Sequence, residues 1–346
     1  MKKFVSACCL LLLATLSAHA QLPFEGMSYY LPKTEIQFTF LVEKTSYEPG
    51  QLSMYAERYM KKNDVAQRPF VEYRIIDMQM NPIGVPDTAK HFTLSMDKKF
   101  SVGEVHLSDN GLLLAINDQP KKIAQHKSFF PAPKAPQLNA KDFMNEDILT
   151  AGSMAKMAEL TAQEIYDIRE SRNMLSRGQA EFMPKDGEQL RIMMQGLNTQ
   201  ERALRQAFEG ITVKDTTEVI MSYVPTKEVE KELFFRFSKR LGFTDVDDLG
   251  GAPFYISIEV EQKNEAAPEV GKKDKDDIGL RVNMPAKIKA TLFQQEKPIS
   301  SHTLYVGQLG TTENLSGALF GRKQTVRLTL NPITGALESI KEENLQ

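Results

Sequence analysis

Cysteine is nearly absent from this chain of 346 residues: Cys8 and Cys9 are the only two. Both fall in a segment expected to be removed, so disulfides and thiol chemistry are excluded from the remainder, and its fold must rest on its own core. Tryptophan is missing altogether, which removes the broadest platform for stacking a sugar, although ten tyrosines remain. Histidine is scarce, and His91, His106, His126 and His302 never stand at i, i+4. Without an HExxH helix each reads as a strand or loop histidine rather than a zinc ligand. No G-x-S-x-G elbow, no P-loop and no G-x-G-x-x-G opening a helix occurs either. No catalytic residue, cofactor or metal ligand is therefore assigned.

Long apolar runs are also lacking, with one exception at the start. Lys2 and Lys3 precede an apolar stretch from Phe4 to Leu16, and Ala18-His19-Ala20 forms a small-x-small site. This is the pattern of a secretory signal peptide over residues 1–20, with Gln21 as the expected new N-terminus. The run is shorter than the ~18 residues a membrane span needs, and no later stretch reaches that length. A lipid anchor would need a cysteine at the end of the run, whereas Cys8 and Cys9 sit near its beginning. Without Lys2 and Lys3 the chain carries 41 basic against 45 acidic residues. No basic face interleaved with aromatics is present, which argues against a nucleic-acid partner. The expected location is the periplasm or cell exterior.

The stretch from Met154 to Gly210 stands out. Met154, Ala158, Thr161, Ile165, Ile168, Arg172 and Leu175 recur at alternating spacings of four and three, the seam of an amphipathic helix. A second seam runs Leu190, Met194, Leu197, Glu201, Leu204 and Phe208, after a capping-box spacing from Asp186 to Gln189 and before Gly210. Gly178, Pro184 and Gly187 between them predict a reversal and an antiparallel helical hairpin. With the turn near Glu181, the expected layers set Met154 on Phe208, Ala158 on Leu204, Thr161 on Glu201, Ile165 on Leu197, Ile168 on Met194 and Arg172 on Leu190. Two of these layers are polar. If they are buried, Glu201 and Arg172 are expected to need partners from the β-rich parts, making the hairpin the hub of the fold.

Alternating or apolar runs at 36–43, 70–78, 91–96, 102–107 and 112–117 predict strands on one side of the hairpin. Those at 217–224, 254–261, 287–294, 303–306 and 325–330 predict strands on the other. SMYAERYM (53–60) has the look of a short helix, LFFRFSKRL (233–241) of a short helix or bent strand, and 264–277 of a solvated loop. The expected class is α+β, two β-rich parts packed on or around a central antiparallel helical hairpin. The expected divisions are an N-terminal β-rich part (21–130), a Pro-containing linker (131–152), the hairpin (153–210) and a C-terminal β-rich part (211–346). The central helices and the polar C-terminal end argue against an outer-membrane barrel. The β-rich parts resemble each other faintly, which suggests a distant internal duplication: in the first a strand ending in a Pro turn precedes YAERYMKKNDV and FVEYRIIDMQ, in the second TEVIMSYVP precedes FRFSKRLGFTDV and FYISIEVEQ, and each finishes in a hydrophobic segment that turns through Gly, HLSDNGLLLAI and LTLNPITGALESI.

Several clusters invite a chemical reading. Asp245, Asp247 and Asp248 offer oxygen at close spacing for calcium, but the remaining EF-hand positions are missing, and capping with solvent exposure is the ordinary reading. Glu72, Asp77 and Glu259 lie on or beside strands, and no pair of carboxylates stands out for hydrolysis. Arg169, Arg172 and Arg191 could form a cationic patch, or pair ordinarily with Asp167, Glu170 and Glu188. The methionines at 154, 157, 174, 183, 193 and 194 read as adaptable core filler. Asp87-Thr88-Ala89 matches an acidic-hydroxyl-small pattern on which some secreted bacterial proteins are O-glycosylated.

EIYDIRESRNMLSRGQAEFMPKDGEQL, with LPKT at Leu31, YEPGQLSMYAERY at Tyr47 and the NPITGAL ending, resembles an uncharacterised family of secreted bacterial proteins, domain-of-unknown-function family 4831. The resemblance covers most of the chain after residue 20 and carries no activity, so it transfers no site residue. The expected function is a non-enzymatic exported binding or scaffold module of the cell envelope, partnered by another envelope protein. The alternative is a hydrolase with an unrecognised carboxylate site.

Overall fold

The computed structural model describes residues 26–95, 100–122, 129–131, 133, 136–263, 276–321 and 324–344. The signal-like segment, His126 and most of the solvated loop after Asn264 lie outside them. The first element, β1 (Gly26–Glu48), is a single strand of 23 residues. At about 3.3 Å per residue it extends roughly 75 Å, far beyond the usual strand. It pairs antiparallel with β2 (Phe70–Ser95) on one side and β5 (Ile211–Tyr223) on the other. This three-stranded sheet has the order β2-β1-β5.

A five-stranded sheet, ordered β10-β9-β8-β6-β7, is built from β6 (Val229–Ser238), β7 (Gly242–Thr244), β8 (Ala252–Gln262), β9 (Asp277–Gln294) and β10 (Lys297–Ser316). A third sheet joins the short hairpin β3 (Val105–Leu107) and β4 (Leu113–Ile116) to β11 (Gln324–Leu330) and β12 (Leu337–Asn344), in the order β12-β11-β4-β3. Strands from 21–130 and 211–346 thus pair directly, β1 with β5 and β4 with β11.

Alternation along β1 explains why it is so long. Ile36, Phe38, Phe40 and Val42 point into one core against Phe235, Ile256, Ile288 and their neighbours in the five-stranded sheet. Further back, Tyr29 and Leu31 belong to a second core with Leu113, Leu280, Phe320 and Leu328. Just past its end, Leu52 enters a third core with Ala158, Ile165, Leu204 and Phe208 from the helices.

The helices are therefore not encircled by the β-rich parts. The three- and five-stranded sheets bury their apolar faces on each other, and the helices pack at one end of β1, on the 49–62 connector. The helical turn expected at 53–60 is a 3₁₀ turn (Ser53–Tyr55) followed by a single π turn (Ala56–Met60). Segments 70–78 and 91–95 are parts of one strand, because Gln79 through Pro86 stay paired with β1; Met96 lies outside the described residues. Pro82 and Pro86 are tolerated there because β2 is an edge strand. Residues 233–241 begin as β6 and end in a turn rather than as a helix.

Where the sheets meet, both long hairpins carry the same irregularity. Tyr30 and Pro32 oppose His91 and Pro86, and Met284 and Ala286 oppose Thr311 and Val306, so two steps on the inner strand face five on the outer. Asn283, fully buried beside this point, satisfies its whole amide. Its Nδ2 donates to Pro32 O at 3.0 Å and Thr334 O at 2.8 Å, and its Oδ1 accepts from Lys90 Nζ at 2.8 Å and Thr312 Oγ1 at 3.2 Å. Burial lowers the Lys90 pKa, an effect that Asp87 opposes. Gln308 serves Thr34 as a peptide would, accepting from Thr34 N and donating to Thr34 O, both at 2.8 Å. The turn at 331–335 closes against Gly84, where a Cβ would lie 2.0 Å from Pro332 O.

Candidate groove at the tip of the helical hairpin

Among the described residues three α-helices follow the β3–β4 hairpin, after a 3₁₀ turn at Ala140–Phe143: a single turn, α1 (Glu146–Leu149), then α2 (Met154–Arg177) and α3 (Gly187–Glu209). Asp186 and Gly210 bound α3 as the sequence predicts, and α2 is capped at both ends as well. Ser153 Oγ accepts from Lys156 N, and Gly178 ends α2 in the left-handed region with its N–H on Leu175 O. Asp186 Oδ1 accepts from Gln189 N at 2.8 Å, while Gln189 Oε1 takes Lys185 N at 3.0 Å.

The helices run back on each other with contacts that differ from the expected layers. Met154 is exposed rather than seated on Phe208, and Thr161 turns its hydroxyl onto Met157 O of its own helix. The two polar layers merge into one. Glu201, almost fully buried, is clasped by Arg169 Nε at 2.7 Å and Arg172 Nη1 at 2.6 Å, and Arg172 also donates to Asn198. Burial pushes the Glu201 carboxyl up, but the hydrogen bonds and charges of Arg169 and Arg172 outweigh it, and the net pKa is below the ordinary value. The partners come from α2 rather than from the β-rich parts. Arg side chains on a helix lean toward its N-terminus, which in an antiparallel pair is toward the C-terminal half of α3.

Beyond this clasp the hairpin buries little. The buried residues of α3 all lie between Glu201 and Phe208, and none falls from Gly187 to Gln200. That outer half instead forms, with α2 and the connector, a groove of about 540 Å³. Met174, Leu175, Phe182, Met193, Gly196 and Leu197 line it. Phe182 is 80% exposed, and Met174, Met183, Ile192 and Met193 are exposed around it. Met174, Met183 and Met193, expected as core filler, are thus surface residues of the tip. A smaller cleft of about 210 Å³ lies at the base, between Glu48–Gln51, Leu138–Lys141 and the end of α3.

The other candidate residues are scattered. Arg191 pairs with Glu188 on its own helix, away from the Glu201 clasp, so the three arginines form no common patch. Asp245, Asp247 and Asp248 are exposed in a turn, where Asp248 Oδ1 accepts from Gly250 N at 2.8 Å. No group of three His, Cys, Asp or Glu side chains among the described residues is placed to hold a metal. Glu72 pairs with Lys239, and Asp77 and Glu259 are exposed. The carboxylates displaced from their ordinary range, Glu188, Glu201, Asp277 and Glu338, all go down, each beside an Arg or Lys. None is tuned as a proton donor near neutrality. Asn283 and Gln308 were invisible as a pair in the sequence, since a lone Asn and a lone Gln on strands carry no local signal.

A family model described as Domain of unknown function (DUF4831) matches residues 25–338. The chain belongs to this family. Within the DUF4831 chain the match spans β1 to the start of β12, taking in all three cores and the hairpin. No curated protein and no solved structure matches the chain. No helix among the described residues is long and apolar enough to cross a membrane.

Proposed function

We propose that this DUF4831 protein is an exported, non-enzymatic binding or scaffold protein of the bacterial cell envelope that receives another envelope protein in the groove at the hairpin tip. One observation carries this reading. The outer half of α3 has no fully buried residue and packs on the helical core through Leu197, yet Met193 from that half, Met174 from α2 and Phe182 from the connector border an apolar groove. Contiguous apolar surface of this kind marks interaction sites, and flexible methionines suit a groove that moulds to a bound apolar segment. The leader-like residues 1–20 support export. The hydrolase alternative asks for two facing carboxylates with one raised pKa, and no observation favours it. The reading is tested by purifying the protein from the envelope after mild crosslinking and comparing it with a Phe182→Ser, Met193→Ser variant. A discrete complex lost in the variant, with the thermal midpoint unchanged, is expected. A complex that survives the double substitution overturns the assignment of the groove.

We also infer an internal repeat, centred on the long hairpins β1–β2 and β9–β10 rather than on the match of β1 and β2 with β5 and β8 that the sequence suggests. Its support is the shared excess of three residues on the outer strand. The short terminal hairpins fit less well, because β4 is the second strand of its hairpin and β11 the first of its own, yet the two are neighbours. A determined structure in which the long hairpins fail to superpose through their irregular points removes this inference.

A further inference from the structure

The three extra residues on β2 place an otherwise ordinary tripeptide in an unusual position. Between Pro86, opposite Pro32, and His91, opposite Tyr30, residues 87–90 have no partner on β1. This segment contains Asp87-Thr88-Ala89. Lys90 turns inward to Asn283, while Thr88 and Ala89 are exposed. Asp87 Oδ1 accepts from Ala89 N at 3.1 Å, folding the acidic side chain over the residue between them. Thr88 Oγ1 has no hydrogen-bond partner among the described residues. β2 is also the outermost strand of its sheet, so solvent lies beyond the bulge.

A second tripeptide of similar composition, Asp215-Thr216-Thr217, gives an internal contrast. It lies in regular β5, with Asp215 opposite Lys44, Thr216 opposite Glu43 and Thr217 opposite Val42, and Thr216 is half-buried. An enzyme that must draw an acceptor hydroxyl and its flanking backbone into its own site can reach the first tripeptide without breaking a ladder, and not the second.

We infer that Thr88 is the acceptor of an O-linked glycan. In the transfer, the bond from the anomeric carbon to phosphate oxygen in a diphosphate-activated sugar donor breaks, and a bond from that carbon to Thr88 Oγ1 forms. The hydroxyl proton passes to a base of the transferase, and the diphosphate carrier departs. No oxidant or reductant takes part. A glycan at this point also shields the exposed edge of β2, the place where another strand could otherwise add.

The inference rests on the export reading, because the motif is one of secreted proteins. The test is the intact mass of the full chain expressed in its native host, with Thr88→Ala and Thr216→Ala variants alongside. Expected are loss of the leader, a mass excess over the processed chain, its retention in Thr216→Ala and its disappearance in Thr88→Ala. A processed chain without excess mass, or an excess that persists in Thr88→Ala, overturns the glycan alone. A chain that keeps its leader and has no excess overturns export and the glycan together.

Discussion

Arg172 donates to Glu201 at 2.6 Å across the helical hairpin, and Arg169 takes the other carboxylate oxygen. The fork is an ion pair holding α3 to α2 just below the groove. Glu201→Gln keeps an acceptor for one arginine and loses the charge for both. It is expected to lower stability by about 1.5–3 kcal/mol, the range for a charged hydrogen bond, read as a shift in urea midpoint. The folded pKa of Glu201 is depressed, so its contribution is full above the unfolded carboxylate value of about 4.3 and is lost as pH falls through the folded value. Wild type should therefore lose stability more steeply than Glu201→Gln in acid. The variant's acid limb stays sloped, because Asp277 and Glu338 are depressed too. Parallel limbs for the two proteins would contradict the clasp.

Asn283 closes four hydrogen bonds in a fully buried site. Asn283→Leu strands Pro32 O and Thr334 O and leaves the Lys90 ammonium with its longer bond to Gly307 O at 3.4 Å, at a cost of roughly 2–4 kcal/mol from poorly paired buried groups. In Asn283→Leu, Lys90→Met the ammonium goes as well, so the double variant should recover part of the loss in the same denaturation measurement. An additive double variant would show that Lys90 and Asn283 are not coupled.

Two glycines separate frame from tip. Gly84→Ala puts a Cβ 2.0 Å from Pro332 O, where backbone must yield, and should unfold the protein or cost more than about 3 kcal/mol. Gly196 has nothing within 4 Å of its Cβ position, so Gly196→Ala should instead raise the melting midpoint, by about 0.5–1 kcal/mol of helix propensity. A destabilised Gly196→Ala would mean that the outer half of α3 is packed more closely than described.

Local rules made the helices legible. Ser153, Gly178, Asp186 and Gly210 each carry a capping signal within a few residues, and all four bound their helices in the structure. The α+β class followed from alternating runs such as FYISIEVE, which is β8. The register of the hairpin was not legible, because a seam of spacing four and three fits many offsets and only the Arg172–Glu201 distance selects one. Nor was the role of β1, since the IQFTFLVE signal marks its middle while Pro32 and the polar residues that follow mask its start. The groove could have been suspected from Met174, Phe182, Ile192 and Met193 standing around the turn. Burial by a neighbouring strand was an equal reading of those residues until the strands were placed elsewhere.

The central claim, that the hairpin tip is a docking arm and the β frame its support, is tested most directly in living cells. A photo-crosslinking amino acid would replace Phe182 on the groove, or Tyr305, which is exposed on the five-stranded sheet. A discrete envelope-protein adduct from position 182 and none from position 305 is the predicted result. Equal adducts at both positions, or none at 182, would contradict it.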